Sequence, residues 1–211
     1  MKVTKLEHAC LVLEIDGAKL IIDPGVFTIP LVDLTGIVGV VITHEHPDHW
    51  TAEHLERIRK QNPDVVFYGP SGVAAAASDF TFTVVDDGDA AEIGPFTLGF
   101  YGTTHAEIHS SIPLIQNVGV MVNDTLFYPG DSFTVPPVPV DTLAVPAGAP
   151  WLKIGEVIDY VLAVAPKRSI PVHQMVLSVI GQNMANDRIA AATTLGGGNP
   201  SVLEPGESLD L

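Results

Sequence analysis

The first part of the chain alternates short apolar runs with turn residues, a pattern typical of consecutive β-strands. Three such runs occupy 2–8, 10–15 and 19–23. An Asp-Gly pair at 16–17 separates the second run from the third, which predicts a tight hairpin turn. The run at 36–43 is apolar throughout and therefore predicts a strand that is covered on both faces.

A segment with helical spacing follows that apolar strand. Residues 51–61 carry apolar side chains on one face behind Thr51, a residue type that caps helix N-termini. They predict a short helix, and another strand is predicted at 65–69. Two strands joined by a helix are typical of a parallel βαβ unit, here over 37–69.

Five apolar segments then alternate with turn residues, which predicts antiparallel strands. These segments are 80–85, 90–93, 96–102, 118–123 and 125–130. The last part predicts strands at 143–148 and 169–173, helices near 154–165 and 187–195, and a short tail at 202–211. The pattern predicts an α/β (α+β) protein with two mixed sheets faced by helices, in one domain that spans 1–211.

The charge composition of the chain limits which classes of molecule it can bind. The 211 residues include 25 acidic and 10 basic side chains, a formal net charge of −15. This charge repels polyanions, so we expect neither nucleic acid nor an anionic membrane as a partner. The N-terminal residues do not resemble a secretory signal, and we expect a cytoplasmic protein that acts on a small molecule. Exposed strand edges can pair with a second copy of the chain, so a homo-oligomer is compatible with the sequence. The single cysteine, Cys10, excludes a site with several thiolates, so metal ligands must be histidines and carboxylates.

The stretch ITHEHPDHW at 42–50 places three histidines and an aspartate directly after the apolar strand. Each of these polar groups costs free energy at the mouth of a buried strand unless it finds a partner. His44 and His46 leave an extended backbone on the same face and can bind one ion. Asp48 and His49 follow a proline bend and point elsewhere, which suits a second ion.

Three further candidates lie at predicted strand ends: His105, Asp131 and His173. Strand ends on one edge of a sheet converge, so these side chains can meet in one pocket. Taken alone, each histidine would more often be a hydrogen-bonded residue near a core, and Asp131 in PGDS also suits an ordinary turn. The clustered motif is what favours a metal site.

The motif THEHPDH resembles the His-x-His-x-Asp-His signature of the metallo-β-lactamase superfamily. The later elements follow in the order of that family: a histidine after a strand, GDS, then PVH. The segments HACLVLE, IDPG, THAEIHSSIP and VPAGAPW resemble its lactonase-like branch of small bacterial metal-dependent hydrolases, which includes ascorbate-6-phosphate lactonase. The resemblance implies the metallo-β-lactamase fold, a four-layer αβ/βα sandwich.

The resemblance also implies a ligand set. One metal ion would be held by His44, His46 and His105, a second ion by Asp48, His49 and His173, and Asp131 would bridge them. Imidazole suits zinc, iron or nickel, and carboxylates also admit manganese. We take two divalent ions as the cofactors, with zinc as the first choice.

The predicted reaction is hydrolysis, in which a metal-bridging hydroxide attacks a lactone, ester or amide carbonyl of a small metabolite. Asp48 and Asp131 are the predicted catalytic carboxylates, because Asp48 can orient the attacking water or pass its proton to the leaving group. Phosphodiester or phosphoryl-ester hydrolysis on the same two ions is the first alternative. A metal-binding sensor or partner module without catalysis is the second.

Further residues are candidates for supporting ligands or for contacting substrate: His8, Asp23, Trp50, His109, Trp151 and Lys153. Asp23 in IIDPG suits a hydrogen bond to the metal loop, and Lys153 could attract a carboxylate or phosphate. An ordinary turn and an exposed lysine before a helix are the simpler interpretations of these two. His54, within the predicted helix, is expected to lie on the solvated surface.

Overall fold

The computed structural model describes residues 1–211 and contains fourteen strands and four helices. The strands of the first half are β1 (Lys2–Lys5), β2 (Leu11–Ile15), β3 (Ala18–Ile22), β4 (Ile37–Val41), β5 (Val66–Gly69), β6 (Phe82–Val84) and β7 (Ala90–Ile93). The later strands are β8 (Phe96–Tyr101), β9 (Gly119–Val122), β10 (Leu126–Tyr128), β11 (Thr142–Pro146), β12 (Arg168–Val172), β13 (Asn199–Pro200) and β14 (Ser208–Asp210). The helices are α1 (Ala52–Gln61), α2 (Ser71–Ala76), α3 (Ile154–Val164) and α4 (Val179–Leu195).

The strands form two mixed sheets of seven. The first sheet has the order β14-β1-β2-β3-β4-β5-β6, and the second has the order β13-β12-β11-β10-β9-β8-β7. In the first sheet the pairs from β3 to β6 are parallel, and the other pairs are antiparallel. In the second sheet the pairs from β10 to β13 are parallel. The βαβ unit predicted over 37–69 is confirmed, because β4 and β5 are parallel and α1 joins them.

Alternation along the strands builds four layers. Leu20 and Ile22 of β3 enter the core between the two sheets, whereas Ile21 between them faces outward. Leu55 and Ile58 of α1 cover Ile21 on that outer face. On the outer face of the second sheet, the apolar sides of α3 and α4 cover β10 and β11 in the same way. The predicted αβ/βα sandwich is therefore confirmed.

Two local predictions are also confirmed. Asp16 and Gly17 have φ values of 49° and 85°, as a hairpin turn with two left-handed residues requires, and they join β2 to β3. Thr51 caps α1, since its side chain accepts a hydrogen bond from the His54 backbone N–H at 3.2 Å.

Other predictions were wrong in detail. The run at 80–85 was expected among antiparallel strands, but β6 pairs in parallel with β5 at the edge of the first sheet. The alternation of apolar and polar residues in this run indicates a half-buried strand, but it does not determine which strand pairs with it. The strand before His105 ends at Tyr101, because Gly102 turns the chain at φ 88°. The tail also forms a strand, β14, that pairs with β1.

Two helices also differ from the prediction, because their exposed apolar residues hide the periodicity of a helix. The Ala-rich stretch after β5 forms α2, and α4 begins at Val179, eight residues before the predicted start. The first turn of α4 exposes Val179 and Ile180. This turn therefore has no polar outer face, and the sequence there shows no amphipathic pattern. None of the four helices combines the length and apolar character that a membrane span requires.

Candidate metal centre

The seven predicted ligands meet at one edge of the sandwich, beyond the ends of β4, β8, β10 and β12. His44, His46 and His105 form a cluster that we call the first ligand group. Asp48, His49 and His173 form the second ligand group. Within each group the candidate ligand atoms lie within 4.8 Å of one another. Residues that are 129 positions apart along the chain are thus brought to one site by the parallel ends of the strands.

Asp131 lies between the two groups and turns one oxygen to each. Its Oδ2 is 3.4 Å from Nε2 of His105 and 4.0 Å from Nε2 of His44. Its Oδ1 is 3.3 Å from Nε2 of His49 and 3.2 Å from Nε2 of His173. A carboxylate divided in this way has the geometry of a bridge between two cation sites.

Four of the histidines have their Nδ1 proton directed to a fixed acceptor. The acceptors are Thr43 Oγ1 for His44 (3.0 Å), Asp23 Oδ2 for His49 (2.6 Å), the Ala106 carbonyl for His105 (2.6 Å) and the Gly148 carbonyl for His173 (2.8 Å). A neutral imidazole carries a single ring proton, so each Nε2 is left with a lone pair. All four of these lone pairs face Asp131.

This arrangement fits divalent cations. Nε2 of His105 and Oδ1 of Asp131 are buried without a hydrogen-bond partner, and buried polar atoms rarely remain so. The Nε2 atoms of His49 and His173 are 3.2 Å apart. Two nitrogens bound to one ion at 2.0–2.1 Å lie roughly 3–3.5 Å apart in tetrahedral geometry. The donor set of imidazoles and carboxylates suits zinc and its neighbours in the first transition row.

The two groups differ in their electrostatics. Burial opposes the charged form of His173, but the carboxylates of Asp131 and Asp48 outweigh it and raise its pKa to about 9. Burial also opposes protonation of His49, whose pKa is nevertheless raised well above its ordinary value by two buried carboxylates. In the first group, burial and the neighbouring histidines lower the pKa of His44 and of His46. The second group therefore attracts positive charge more strongly than the first.

His8 orients Asp48. Its Nδ1 accepts a hydrogen bond from the Met175 backbone N–H at 3.2 Å, so the ring proton of the neutral form is on Nε2. Nε2 lies 3.2 Å from Oδ2 of Asp48 and donates to it. Burial lowers the pKa of His8 to about 4, which keeps the ring neutral. His8 thus holds the carboxylate of the second group in place.

Asp23 and Thr43 fix the loop that carries the ligands. Asp23 is buried with a left-handed φ of 48°, and its Oδ1 accepts the Thr43 backbone N–H at 2.8 Å. Its Oδ2 accepts both the Thr43 hydroxyl and Nδ1 of His49, each at 2.6 Å. One aspartate therefore orients both ligand groups. Sequence reasoning missed Thr43, although its place between an apolar strand and His44 was the available signal.

Three residues hold Asp131. The side-chain oxygen of Asn117 accepts the Asp131 backbone N–H at 2.9 Å, and Trp151 donates its indole N–H to Oδ2 at 2.9 Å. Gly130 has φ 64°, and a β-carbon there would overlap Oδ1 of Asn117. Trp151, a substrate candidate by sequence, is buried beneath the carboxylate. Sequence reasoning also missed Asn117, which no motif marks.

The remaining candidates lie away from the ligand atoms. Trp50 donates to the Glu45 carbonyl at 3.0 Å and packs on the outer core, and the exposed Lys153 faces Glu156 at 3.3 Å. Nδ1 of His109 bonds within its own exposed loop. The prediction for His54 was wrong, because its ring is buried with Nε2 3.3 Å from the Thr28 carbonyl. The loop after β3 folds over this part of α1, a contact that local pattern does not encode.

The chain is similar to known proteins in its sequence and in its fold. The family model for the beta-lactamase superfamily domain matches residues 2–173. Protein Rv0786c of Mycobacterium tuberculosis is 36% identical over 199 residues, which are 92% of this chain and 93% of that protein. The UPF0173 protein PF0020 of Pyrococcus furiosus is 29% identical over 183 residues, which are 82% of this chain and 83% of that protein.

Among solved structures, the fold is similar to Igni18, a metallo hydrolase from the archaeon Ignicoccus hospitalis. The TM-score is 0.76 at 19% identity, with 99% of this chain and 97% of that chain covered. The likeness to Igni18 shows a shared fold, and the match of the family model over most of the chain shows that this protein belongs to the beta-lactamase superfamily.

Proposed function

We propose that this protein hydrolyses a lactone, ester or amide bond of a small metabolite, with two divalent ions, zinc as the first choice, as its cofactors. The observation that carries the proposal is the divided carboxylate of Asp131, with an Nε2 lone pair of each ligand group within 3.4 Å of one of its oxygens. When bound, such ions lower the pKa of water and polarise a carbonyl oxygen.

The residues of the chain would share the remaining tasks. Asp131 would set the spacing between the two ligand groups, and Trp151 would hold it at a fixed angle. Asp48 is the site carboxylate that reaches solvent, with its side chain 23% exposed compared with 3% for Asp131. Its Oδ2 faces His8 and His173, at 3.2 and 3.4 Å, which leaves Oδ1 to orient the attacking water or accept its proton.

A panel of chromogenic lactones, esters, anilides and bis(p-nitrophenyl) phosphate tests the proposal. We expect turnover of carbonyl substrates that stops on chelation and returns with added zinc, with close to two metal ions per chain by elemental analysis. Turnover of the phosphodiester alone would replace the proposal by the phosphodiesterase alternative. Tight metal binding without turnover of any substrate would favour the sensor or partner module.

A further inference from the structure

The mouth of the metal centre is apolar on the side of the first ligand group. The loop after His105 forms a very small pocket, which is lined by His46 and His105 and by the side chains of Ile108, Ile112 and Leu114. Ile112 and Leu114 are 45% and 59% exposed. Exposed aliphatic side chains this close to a reactive site are typical of surfaces that bind an apolar group.

The side of the second ligand group is bordered in the same way. The ring of Phe27 packs edge-on against His8 with ring centroids 4.8 Å apart, and it remains 40% exposed. Met175, whose backbone N–H donates to His8, is 42% exposed. Apolar surface therefore flanks both ends of the row of ligands.

Lysine and arginine are absent from the segments at this edge. None of the ten lysines and arginines lies in the ligand loop 42–50 or in the surrounding segments 24–31, 102–118, 132–140, 147–152 and 173–179. The acidic side chains of these segments are Glu45, Asp48 and Glu107, and Asp131 directly precedes one of the segments. A phosphate or carboxylate of the substrate that lies remote from the reacting bond would meet no lysine or arginine in these segments, and the net charge of −15 would repel it.

We propose that the substrate is an electrically neutral ester or lactone with an apolar chain, which lies against Ile112 and Leu114 while its carbonyl faces the ligand atoms. This inference rests on the proposed function and narrows it, because it excludes phosphorylated and other anionic metabolites. Burial of each methylene contributes about 0.8 kcal/mol, so kcat/KM should rise roughly threefold to fourfold for each carbon that becomes buried against these exposed side chains.

The test uses the metal-loaded full chain and p-nitrophenyl esters from acetate to octanoate. A matched pair, p-nitrophenyl butyrate and the succinate monoester, differs mainly in charge. We expect kcat/KM to rise at least tenfold from acetate to hexanoate, and to be at least tenfold lower for the succinate than for the butyrate. Equal rates along the series, or preference for the anionic ester, would overturn the inference and leave ester hydrolysis standing.

Two substitutions connect this preference to the pocket. Leu114→Lys should flatten the chain-length dependence and raise the relative rate of the succinate ester, and Ile112→Lys should act in the same direction. Leu195→Lys is the matched control, because Leu195 is 77% exposed at the far end of α4, roughly 24 Å along the helix from Val179. Equal effects of the control and the pocket variants would contradict the proposal.

A binding measurement keeps the inference separate from the proposed function. Hexyl-substituted and carboxypropyl-substituted γ-lactams imitate the lactones without being turned over, and calorimetry reports their affinity. Tighter binding of the hexyl lactam, without hydrolysis of any ester, lactone or anilide, would remove the proposed reaction and retain the apolar preference. Hydrolysis only above the aggregation concentration of the esters would indicate a lipid surface as the partner and overturn the inference.

Discussion

The two ligand groups share Asp131 but are built differently. The first group consists of three imidazoles, and burial lowers the pKa of His44 and His46. The second group adds the carboxylate of Asp48, and nearby carboxylates raise the pKa of His49 and His173 despite their burial. With all imidazoles neutral, the first group has no charge of its own, and the second group carries the negative charge of Asp48. If each group holds one ion, the two ions need not be bound with equal affinity, and we expect the second group to bind its ion more tightly.

Removal of the shared carboxylate should have the largest effect. Asp131→Asn takes the negative charge from both groups and leaves one bridge position with an amide nitrogen. We expect metal content to fall at both sites and activity to fall by roughly 10³-fold or more, since breaking a buried charge pair costs about 3–5 kcal/mol. Elemental analysis and kcat/KM measure both effects, with circular dichroism to show that the variant is folded. Unchanged metal content would contradict the bridging role.

Removal of the Asp48 carboxylate, which belongs to the second group alone, should affect metal binding by that group and not by the first. Asp48→Asn is expected to weaken metal binding by the second group roughly 100-fold while the first group retains its ion. Purified protein should then contain close to one metal ion per chain. His46→Gln, a variant in the first group, is the matched counterpart. If Asp48→Asn empties both groups equally, the groups are not independent.

Acidity should act on the second group more than on the first. Protons compete with a metal ion for Nε2 of His173, whose pKa is raised to about 9. The apparent affinity of the second group for its metal ion should therefore fall as the pH decreases below that value. For one displaced proton, the loss approaches roughly tenfold per pH unit below the pKa, which is about 50-fold between pH 9 and pH 7. The lowered pKa of His44 removes such competition from the first group in this range. Competition titrations with a chelator at several pH values measure this dependence, and equal slopes for the two sites would show that protons compete equally at both groups.

The smallest expected effects come from residues that orient ligands. His8→Gln removes the donor to Asp48 and should weaken the second group about 10-fold, a loss typical of groups that support metal ligands. Trp151→Phe removes the donor to Oδ2 of Asp131, the oxygen that faces the first group, and should reduce kcat/KM about fivefold through one lost hydrogen bond. The two variants should differ in which site loses affinity. Identical metal-binding curves would show that these residues serve packing alone.

Local sequence patterns were sufficient for most elements and for the motif. The Asp-Gly hairpin, the Thr51 cap and the βαβ unit follow from turn chemistry, capping and apolar periodicity. The strand that pairs with β6 and the first residue of α4 could not be predicted in this way, because strand pairing and surface exposure depend on distant segments of the chain. His54 shows the same limit, since the loop that buries it belongs to another part of the chain.

The sequence by itself determined the donor set: histidines and carboxylates placed after strands, with a single cysteine that leaves no thiolate cluster. Only the tertiary structure decided how they combine. The division of Asp131 between two groups, the donation from His8 to Asp48 and the burial of Trp151 beneath the bridge all join positions separated by 20 residues or more. Residue type limits which bonds a side chain can make, but the ends of parallel strands determine which partners lie within reach.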